Sequence, residues 1–172
     1  MSTLRLLAFS FLIKATAAFG AGPNLGQPIS DADLAPWDIS VLPDGRGLPA
    51  GSGTPAQGAP IYAQKCALCH GENGRGGVNA ALVGGAPVTD MNSVKTIANF
   101  WPYATTLFDF VRRAMPYQQP RSLTDDEVYA LTAYLLAANK LIGENDAMNA
   151  RTLPGVRMPN RDGFIPRFPD RM

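Results

Sequence analysis

The sequence predicts an all-α domain that carries a loop-rich extension on each side. Three segments between residues 55 and 140 place apolar side chains three and four residues apart, which is the helical period. No segment sustains the alternation of apolar and polar residues that marks a strand, and no internal repeat is visible. Residues 21–54 and 141–172 lack a sustained helical pattern and are rich in Gly, Pro and charged side chains. The compact domain is therefore expected to span residues 55–140.

The first 20 residues have the features of a secretory signal peptide. Arg5 supplies the positive charge, Leu6 to Ile13 form a short apolar run, and small residues offer cleavage after Ala17 or Gly20. The run is too short to span a bilayer. Removal of this segment would leave 13 basic and 14 acidic side chains, a balance of −1 that offers nothing to nucleic acid. The sequence therefore predicts an exported, periplasmic protein.

Within the N-terminal extension, a short helix is expected to start at the cap Ser30. The first helix of the domain is predicted between Thr54 and Cys69. Pro60 lacks an N–H and would break a backbone hydrogen bond, so the regular helix is expected to begin near Gly58. One face of this helix is formed by Gly58, Ile61, Tyr62 and Lys65. Gly58 is expected at a close crossing with the last helix, where Tyr62 and Tyr134 would pack.

Two further helices follow. The segment "TTLFDFVRRA" is predicted to be capped by Thr105 or Thr106, and it must stop at Met115 because Pro116 follows. Its inward residues are Leu107, Phe108 and Val111. The sequence "TDDE" at 124–127 is a capping box that opens the last helix. The apolar stripe of that helix is formed by Val128, Leu131, Leu135 and Ala138.

Residues 66–70, "CALCH", contain both cysteines and the only histidine of the chain. A structural zinc site needs four ligands in most cases, and a thioredoxin-type dithiol belongs to a βαβ pattern that is not found here. In C-x-x-C-H, two thiols on one helical turn reach the two vinyl groups of a haem while the histidine ligates the iron. The motif therefore predicts one covalent haem c, attached at Cys66 and Cys69 and ligated by His70. The haem would also supply apolar mass to a thin core of about 85 residues.

The second iron ligand cannot be a histidine, because the chain has only one. The candidates are Met91, Met115, Met148 and Met158. Met115 follows an apolar helix and is held extended by Pro116, so it is the predicted ligand. A thioether raises the potential and fills the position that oxygen or peroxide would need. This ligand pair favours outer-sphere electron transfer with no catalytic residue in the chain, and a haem enzyme in which Met115 is displaceable is the alternative.

Four stretches occur in the order found in class I c-type cytochromes, and over residues 55–140 the chain resembles that family. They are "CALCHG", "NAALVG", "AMPY" and "DDEVYALTAYLLA". The resemblance implies the class I cytochrome c fold, with the haem in a cleft between helices, His70 proximal and Met115 distal. It also implies that the backbone carbonyl of Ala80, at the usual proline position, accepts a hydrogen bond from His70. Further residues expected to contact the haem are Leu82, Trp101, Tyr103, Leu107 and Val111.

Two groups of residues are expected at the edges of the haem. Trp101 is expected to donate to the haem propionates, and Tyr103 with Arg112 or Arg113 are further candidates for this role. The exposed edge, where a partner would dock, is expected to be flanked by Ala67, Leu68, Val78, Pro116 and Tyr117. Charges around that edge would come from Arg75, Arg113 and Arg121.

The flanking segments resemble the cytochrome subunit of periplasmic molybdenum sulfite and sulfane dehydrogenases. The stretches concerned are "LAPWDISVLPDGRGLPAGSGT", "FWPYATTLFDFVRRAMPY" and "RTLPGVRMPNRDGF". The resemblance implies that the protein accepts electrons one at a time from such a dehydrogenase. It would pass them to a downstream cytochrome or oxidase of the respiratory chain. The open alternative is a peroxidase-like or thiosulfate-oxidising haem enzyme.

Overall fold

A computed structural model describes residue 26 and residues 28–165, in two compact units with the boundary between Asp38 and Ile39. In the first unit, helix α1 spans Asp31–Leu34 and is capped by Ser30, as predicted. The Ser30 hydroxyl accepts from the Asp33 N–H, and the Asp33 carboxylate accepts from the Ser30 N–H. The predicted signal segment, residues 1–20, lies outside the described residues. Among the helices of the described part, none is long and apolar enough to cross a membrane.

The second unit is built mainly from helices, which confirms the all-α prediction. They are α2 (Pro55–Lys65), α3 (Ala67–His70), α4 (Ile97–Phe100), α5 (Ala104–Ala114) and α6 (Asp125–Ala138). A short 3₁₀ turn covers Leu153–Gly155. The described strands are β1 (Ser52–Gly53) and β2 (Met148–Asn149), which pair antiparallel. A ladder of two residues per strand is too short to produce a period-two pattern in the sequence.

Helix α2 starts earlier than the sequence suggested. It begins at Pro55, and the prediction of a start near Gly58 is wrong. Thr54 and Gln57 form a capping box, with the Thr54 N–H donating to the Gln57 side chain at 2.9 Å. Pro60 is exposed and costs one helical hydrogen bond, but the carbonyl left without a donor belongs to an exposed residue that water can reach. The cap therefore outweighs the internal proline.

Helix α5 also starts one residue before the predicted caps. It begins at Ala104, and neither threonine caps it: Thr105 is buried inside the helix. The preceding residue, Tyr103, has extended backbone angles and forms an antiparallel bridge with Arg157. This pairing keeps Tyr103 out of the helix, so the helix begins directly after it. At the other end, Met115 is extended (φ −116°, ψ 146°), as the following proline requires.

Helix α6 begins with the predicted capping box. The Thr124 hydroxyl accepts from the Glu127 N–H at 3.3 Å, and the Glu127 carboxylate accepts from the Thr124 N–H at 2.8 Å. The predicted stripe residues Val128, Leu131 and Leu135 are buried. Ala138, at the end of the stripe, is only half-buried.

Helices α2 and α6 cross at Gly58, as the sequence predicted. A Cβ at this position would overlap the carbonyl oxygen of Ala130, and it would lie 2.6 Å from the carbonyl carbon and 2.8 Å from Cβ of Tyr134. The rings of Tyr62 and Tyr134 pack beside the crossing, with centroids 4.9 Å apart. Glycine is therefore required here because the two backbones touch, while its φ is ordinary.

The hydrophobic core does not stop at residue 140. Met148, Leu153, Val156 and Met158 are all buried, and they belong to the same cluster as the inward faces of α5 and α6. Apolar residues that precede α2 also pack against this cluster. The segments on both sides of residues 55–140 thus help to close the core.

Candidate functional site

A cavity of about 600 Å³ lies between the helices of the second unit. Its walls come from α2, α3, α5 and α6, from residues 79–82 and 95–101, and from residues 115–118. Most of the lining is apolar, including Ile97, Phe100, Phe110, Leu123, Leu131 and Leu135. The volume falls within the range of about 300–1,000 Å³ that is usual for small-molecule and cofactor sites.

One wall of the cavity carries the C-x-x-C-H motif. Cys66 lies at the junction of α2 and α3, and Cys69 and His70 lie in α3; all three line the cavity. The single turn of α3 ends at Gly71, whose φ of +82° is readily adopted only by glycine. Burial raises the pKa of the Cys66 thiol to about 11, so before any attachment reaction the thiol keeps its proton at neutral pH.

The orientation of the histidine ring is set by one backbone oxygen. His70 Nδ1 lies 2.9 Å from the carbonyl oxygen of Ala80, the acceptor predicted from the sequence. Because a carbonyl only accepts, this bond requires the Nδ1–H tautomer and leaves Nε2 with its lone pair for a metal. The loop that carries Ala80 is itself fixed by backbone hydrogen bonds. The Asn79 N–H donates to the Cys69 carbonyl at 2.9 Å, and the Leu82 N–H donates to the Gly74 carbonyl at 2.8 Å.

The methionines occupy different environments. Of the four considered as iron ligands, Met115 lines the cavity. Met148 and Met158 are 4% and 1% exposed and belong to the hydrophobic core, while Met91 is 87% exposed. Met115 is placed by the end of α5, because the extended conformation before Pro116 stops the helix there.

Four of the predicted wall residues line the cavity, and one does not. Leu82, Trp101, Leu107 and Val111 belong to the lining. Tyr103 does not, so its predicted contact with the cofactor is not supported. Its ring is instead covered by the guanidinium of Arg161, 4.3 Å from the centroid.

The arginines of α5 also point elsewhere. Arg112 pairs with Asp125 at 3.0 Å, and Arg113 pairs with Asp109 at 2.9 Å. Neither lines the cavity. Val111 faces the cavity, and the next two positions are rotated from it by about 100° and about 200° around the helix. The prediction that either arginine donates to the cofactor is therefore not supported.

Sequence reasoning missed several residues of the site. Tyr62, predicted only as a packing residue, lines the cavity, and its hydroxyl donates to the carbonyl of Gly71 at 2.9 Å. Burial raises the pKa of Tyr62 to about 12, so the hydroxyl stays a donor at physiological pH. Phe110, three residues after Leu107, could have been found from the helical period. Lys65 also lines the cavity, on the same predicted helix face as Tyr62, whereas Lys95 carried no sequence signal.

Residues 53–135 match the family model described as cytochrome c oxidase, cbb3-type, subunit III. The crystal structure of the sulfane dehydrogenase SoxCD from Paracoccus pantotrophus contains a chain that is 38% identical to this one, with a TM-score of 0.78. The match covers 87% of this chain and 75% of that chain. The chain belongs to the c-type cytochromes. The class I fold and a covalently bound haem c follow for this cytochrome, and the Cys66–Cys69 pair is consistent with the attachment.

A curated relative of this cytochrome is the thiosulfate dehydrogenase of Stutzerimonas stutzeri (strain A1501). The two are 30% identical over 128 residues, which is 74% of this chain and 40% of the relative. The cytochrome thus spans less than half the length of that enzyme.

The residues of the cavity fit a haem c. Two thiols and an imidazole with a free Nε2 lie along one wall, and a thioether lies in another part of the lining. The remaining surface is mostly apolar, which suits the two faces of a porphyrin. The positively charged side chains of the lining suit the propionates.

Proposed function

We propose that this cytochrome is a periplasmic electron carrier for a molybdenum-dependent sulfur dehydrogenase. It would accept electrons one at a time and pass them to a downstream cytochrome or oxidase of the respiratory chain. One observation carries the proposal: the likeness to the chain in the sulfane dehydrogenase structure covers 87% of this chain. It therefore reaches well beyond the cytochrome domain at residues 53–135.

The proposed roles follow from the arrangement of the cavity. Cys66 and Cys69 would form the thioethers, and His70 and Met115 would ligate the iron. Haem c supplies a one-electron Fe(III)/Fe(II) couple when bound. The hydrogen bond from His70 to the Ala80 carbonyl holds the imidazole in one orientation and raises its basicity as a ligand. The Met115 thioether would favour Fe(II).

The proposed docking face surrounds the attachment motif. Leu68 and Val78 are 92% and 88% exposed, and Tyr117, beside the cavity-lining Pro116, is 80% exposed. Single exposed apolar side chains are ordinary, but a group of them on one surface is typical of a contact site. Of the arginines predicted to steer encounter, Arg113 is already paired with Asp109, and the Nε of Arg75 donates to the carbonyl of Val83. Apolar contact is therefore proposed to contribute more than these charges.

Docking is tested by reducing the holoprotein with a purified sulfane dehydrogenase and its substrate in a stopped-flow instrument. Leu68→Asp is expected to lower the second-order reduction rate about tenfold, because a desolvated charge would oppose the contact. Ile165→Asp is the matched control, since Ile165 is 93% exposed at the other end of the described chain. Equal rates for the two variants would place the docking surface elsewhere. Failure of the dehydrogenase to reduce even the parent protein would refute the proposed partner.

A second candidate function is a thiosulfate-oxidising haem enzyme, favoured by the 30% identical thiosulfate dehydrogenase. The two functions differ in whether the sixth iron position opens. A carrier with a fixed Met115 should not bind carbon monoxide when reduced or cyanide when oxidised, on the time scale of seconds. An enzyme with a displaceable ligand should bind both rapidly without denaturant. Optical spectra of the holoprotein after ligand addition distinguish the two.

A further inference from the structure

The ionisable side chains of the cavity lining include basic groups but no acidic ones among the residues that the structure describes. The basic side chains are Lys65, His70 and Lys95, and no Asp or Glu of the described chain lines the cavity. A haem c brings two propionates, on the edge of the ring opposite the vinyl groups that the cysteines would hold. A carboxylate at the edge of a largely apolar cavity needs donors or an opposite charge. Lys65 directly precedes Cys66 and so belongs to the attachment side, whereas Lys95 belongs to a separate segment of the wall.

Lys95 is held at the cavity by its own loop. Its Nζ donates to the carbonyl oxygens of Met91 and Ser93, at 2.8 Å and 3.3 Å. An ammonium has three donors, so one N–H remains for an anion. The acid closest in sequence, Asp90, is engaged by the N–H groups of Asn92 and Ser93. Within the described chain, no carboxylate forms an ion pair with Lys95.

A buried polar clamp fixes the loop that carries Lys95. Asn99, 8% exposed, donates from Nδ2 to the carbonyls of Ala86 and Val94 at 2.7 Å and 2.8 Å. Its Oδ1 accepts from the Thr96 N–H at 2.7 Å, and the Thr96 hydroxyl donates to the carbonyl of Gly84. These bonds tie the two ends of the loop together on either side of Lys95. A clamp of this kind lowers the entropy that Lys95 would lose on binding an anion.

We propose that Lys95 binds a propionate of the haem through its ammonium group, and that the Asn99 clamp positions the loop for this contact. The indole of Trp101 lines the same cavity and supplies a second N–H donor. Lys95 and Trp101 would then share the role for which the sequence also offered Tyr103 and the arginines of α5. The proposal rests on the bound haem c and is independent of the sulfur-oxidising partner.

The test compares Lys95→Gln with Lys140→Gln in the holoprotein. Lys140 is exposed, does not line the cavity and loses the same charge. Removal of a cation beside a propionate favours the ferric form, since the positive charge stabilises the added electron. At a fixed electrode potential, Lys95→Gln is expected to raise the ratio of ferric to ferrous protein about threefold. Because a tenfold change in this ratio corresponds to about 59 mV, the midpoint potential is expected to fall by ~28 mV. Lys140→Gln should give less than half of this change, and Lys95→Arg should restore the parent potential.

A resonance Raman spectrum reports the contact directly. The propionate bending band should shift in Lys95→Gln and stay in place in Lys140→Gln. Equal potentials and equal spectra for the two variants would overturn the proposal. A changed potential without a band shift would also overturn it, because that result indicates a distant charge and no contact. Neither measurement uses a sulfur substrate or a partner protein, so the outcome is separate from that of the proposed function.

Discussion

Replacement of Gly58 by alanine should strongly destabilise the protein. The new Cβ would overlap the Ala130 carbonyl oxygen and lie 2.6 Å from the carbonyl carbon, whereas ordinary contacts begin at 3.4 Å. To relieve the contact with the Ala130 carbonyl carbon alone, α2 and α6 would have to separate by about 0.8 Å. The obstructing atoms of Ala130 are backbone atoms, so they cannot rotate away. The crossing also holds the Tyr62–Tyr134 pair, so separation would loosen that packing as well.

The magnitude follows from two opposing effects. Alanine is better than glycine inside a helix by about 1 kcal/mol. Overpacking of a tight interface costs about 1–3 kcal/mol, and backbone contact points to the upper end. The free energy of unfolding should therefore fall by about 2 kcal/mol in Gly58→Ala, despite the gain in helix propensity.

The assay is urea unfolding of the oxidised holoprotein, followed by far-ultraviolet circular dichroism. Gly155→Ala is the matched control, because a Cβ at that exposed position meets nothing within 4 Å. The control should be neutral within about 0.5 kcal/mol. If Gly58→Ala were as stable as the parent, the close crossing of α2 and α6 at this residue would be refuted.

Three further perturbations have distinct expected outcomes. Met115→Ala should open the iron to carbon monoxide and lower the reduction potential. Met158→Ala should lower the free energy of unfolding by about 2–5 kcal/mol and leave the iron closed to carbon monoxide. Ligand-binding spectra and urea unfolding distinguish the two variants. The pKa of Tyr62 is raised by burial to about 12 in the folded protein. Folding thus favours the neutral hydroxyl, and the contribution of Tyr62 to stability is complete below about pH 10 and is lost as the pH rises to about 12. Between about pH 10 and pH 12, Tyr62→Phe should lose less unfolding free energy than the parent protein. At neutral pH the variant should be less stable by about 1 kcal/mol because it lacks the hydrogen bond to Gly71. An identical alkaline loss of stability in the two proteins would contradict the assignment. Thr124→Ala should lower the unfolding free energy by about 1 kcal/mol because it removes the cap of α6, while Thr106→Ala, which removes no cap, should be neutral.

The parts of the protein that could be predicted from the sequence depend on residues close together along the chain. The attachment motif occupies five consecutive positions, and its geometry is that of one helical turn. The capping box of α6 joins residues three apart, and Pro116 acts on the residue directly before it. Local sterics and local hydrogen bonds determine such features, so they are independent of how distant segments pack. Even the acceptor of the His70 ring, Ala80, lies only ten residues away.

The tertiary structure decided what depends on contacts between distant segments. Met115 and Met158 both precede proline, and only the packing places one at the cavity and the other in the core. Tyr103 is drawn away from the cavity by residues more than 50 positions later, Arg157 and Arg161. Lys95 lies at the cavity because a clamp centred on Asn99 determines the path of its loop. A charged side chain gives no periodic signal, and the direction in which it points is set by the backbone that carries it. That backbone is held by hydrogen bonds whose partners cannot be assigned before the chain has folded.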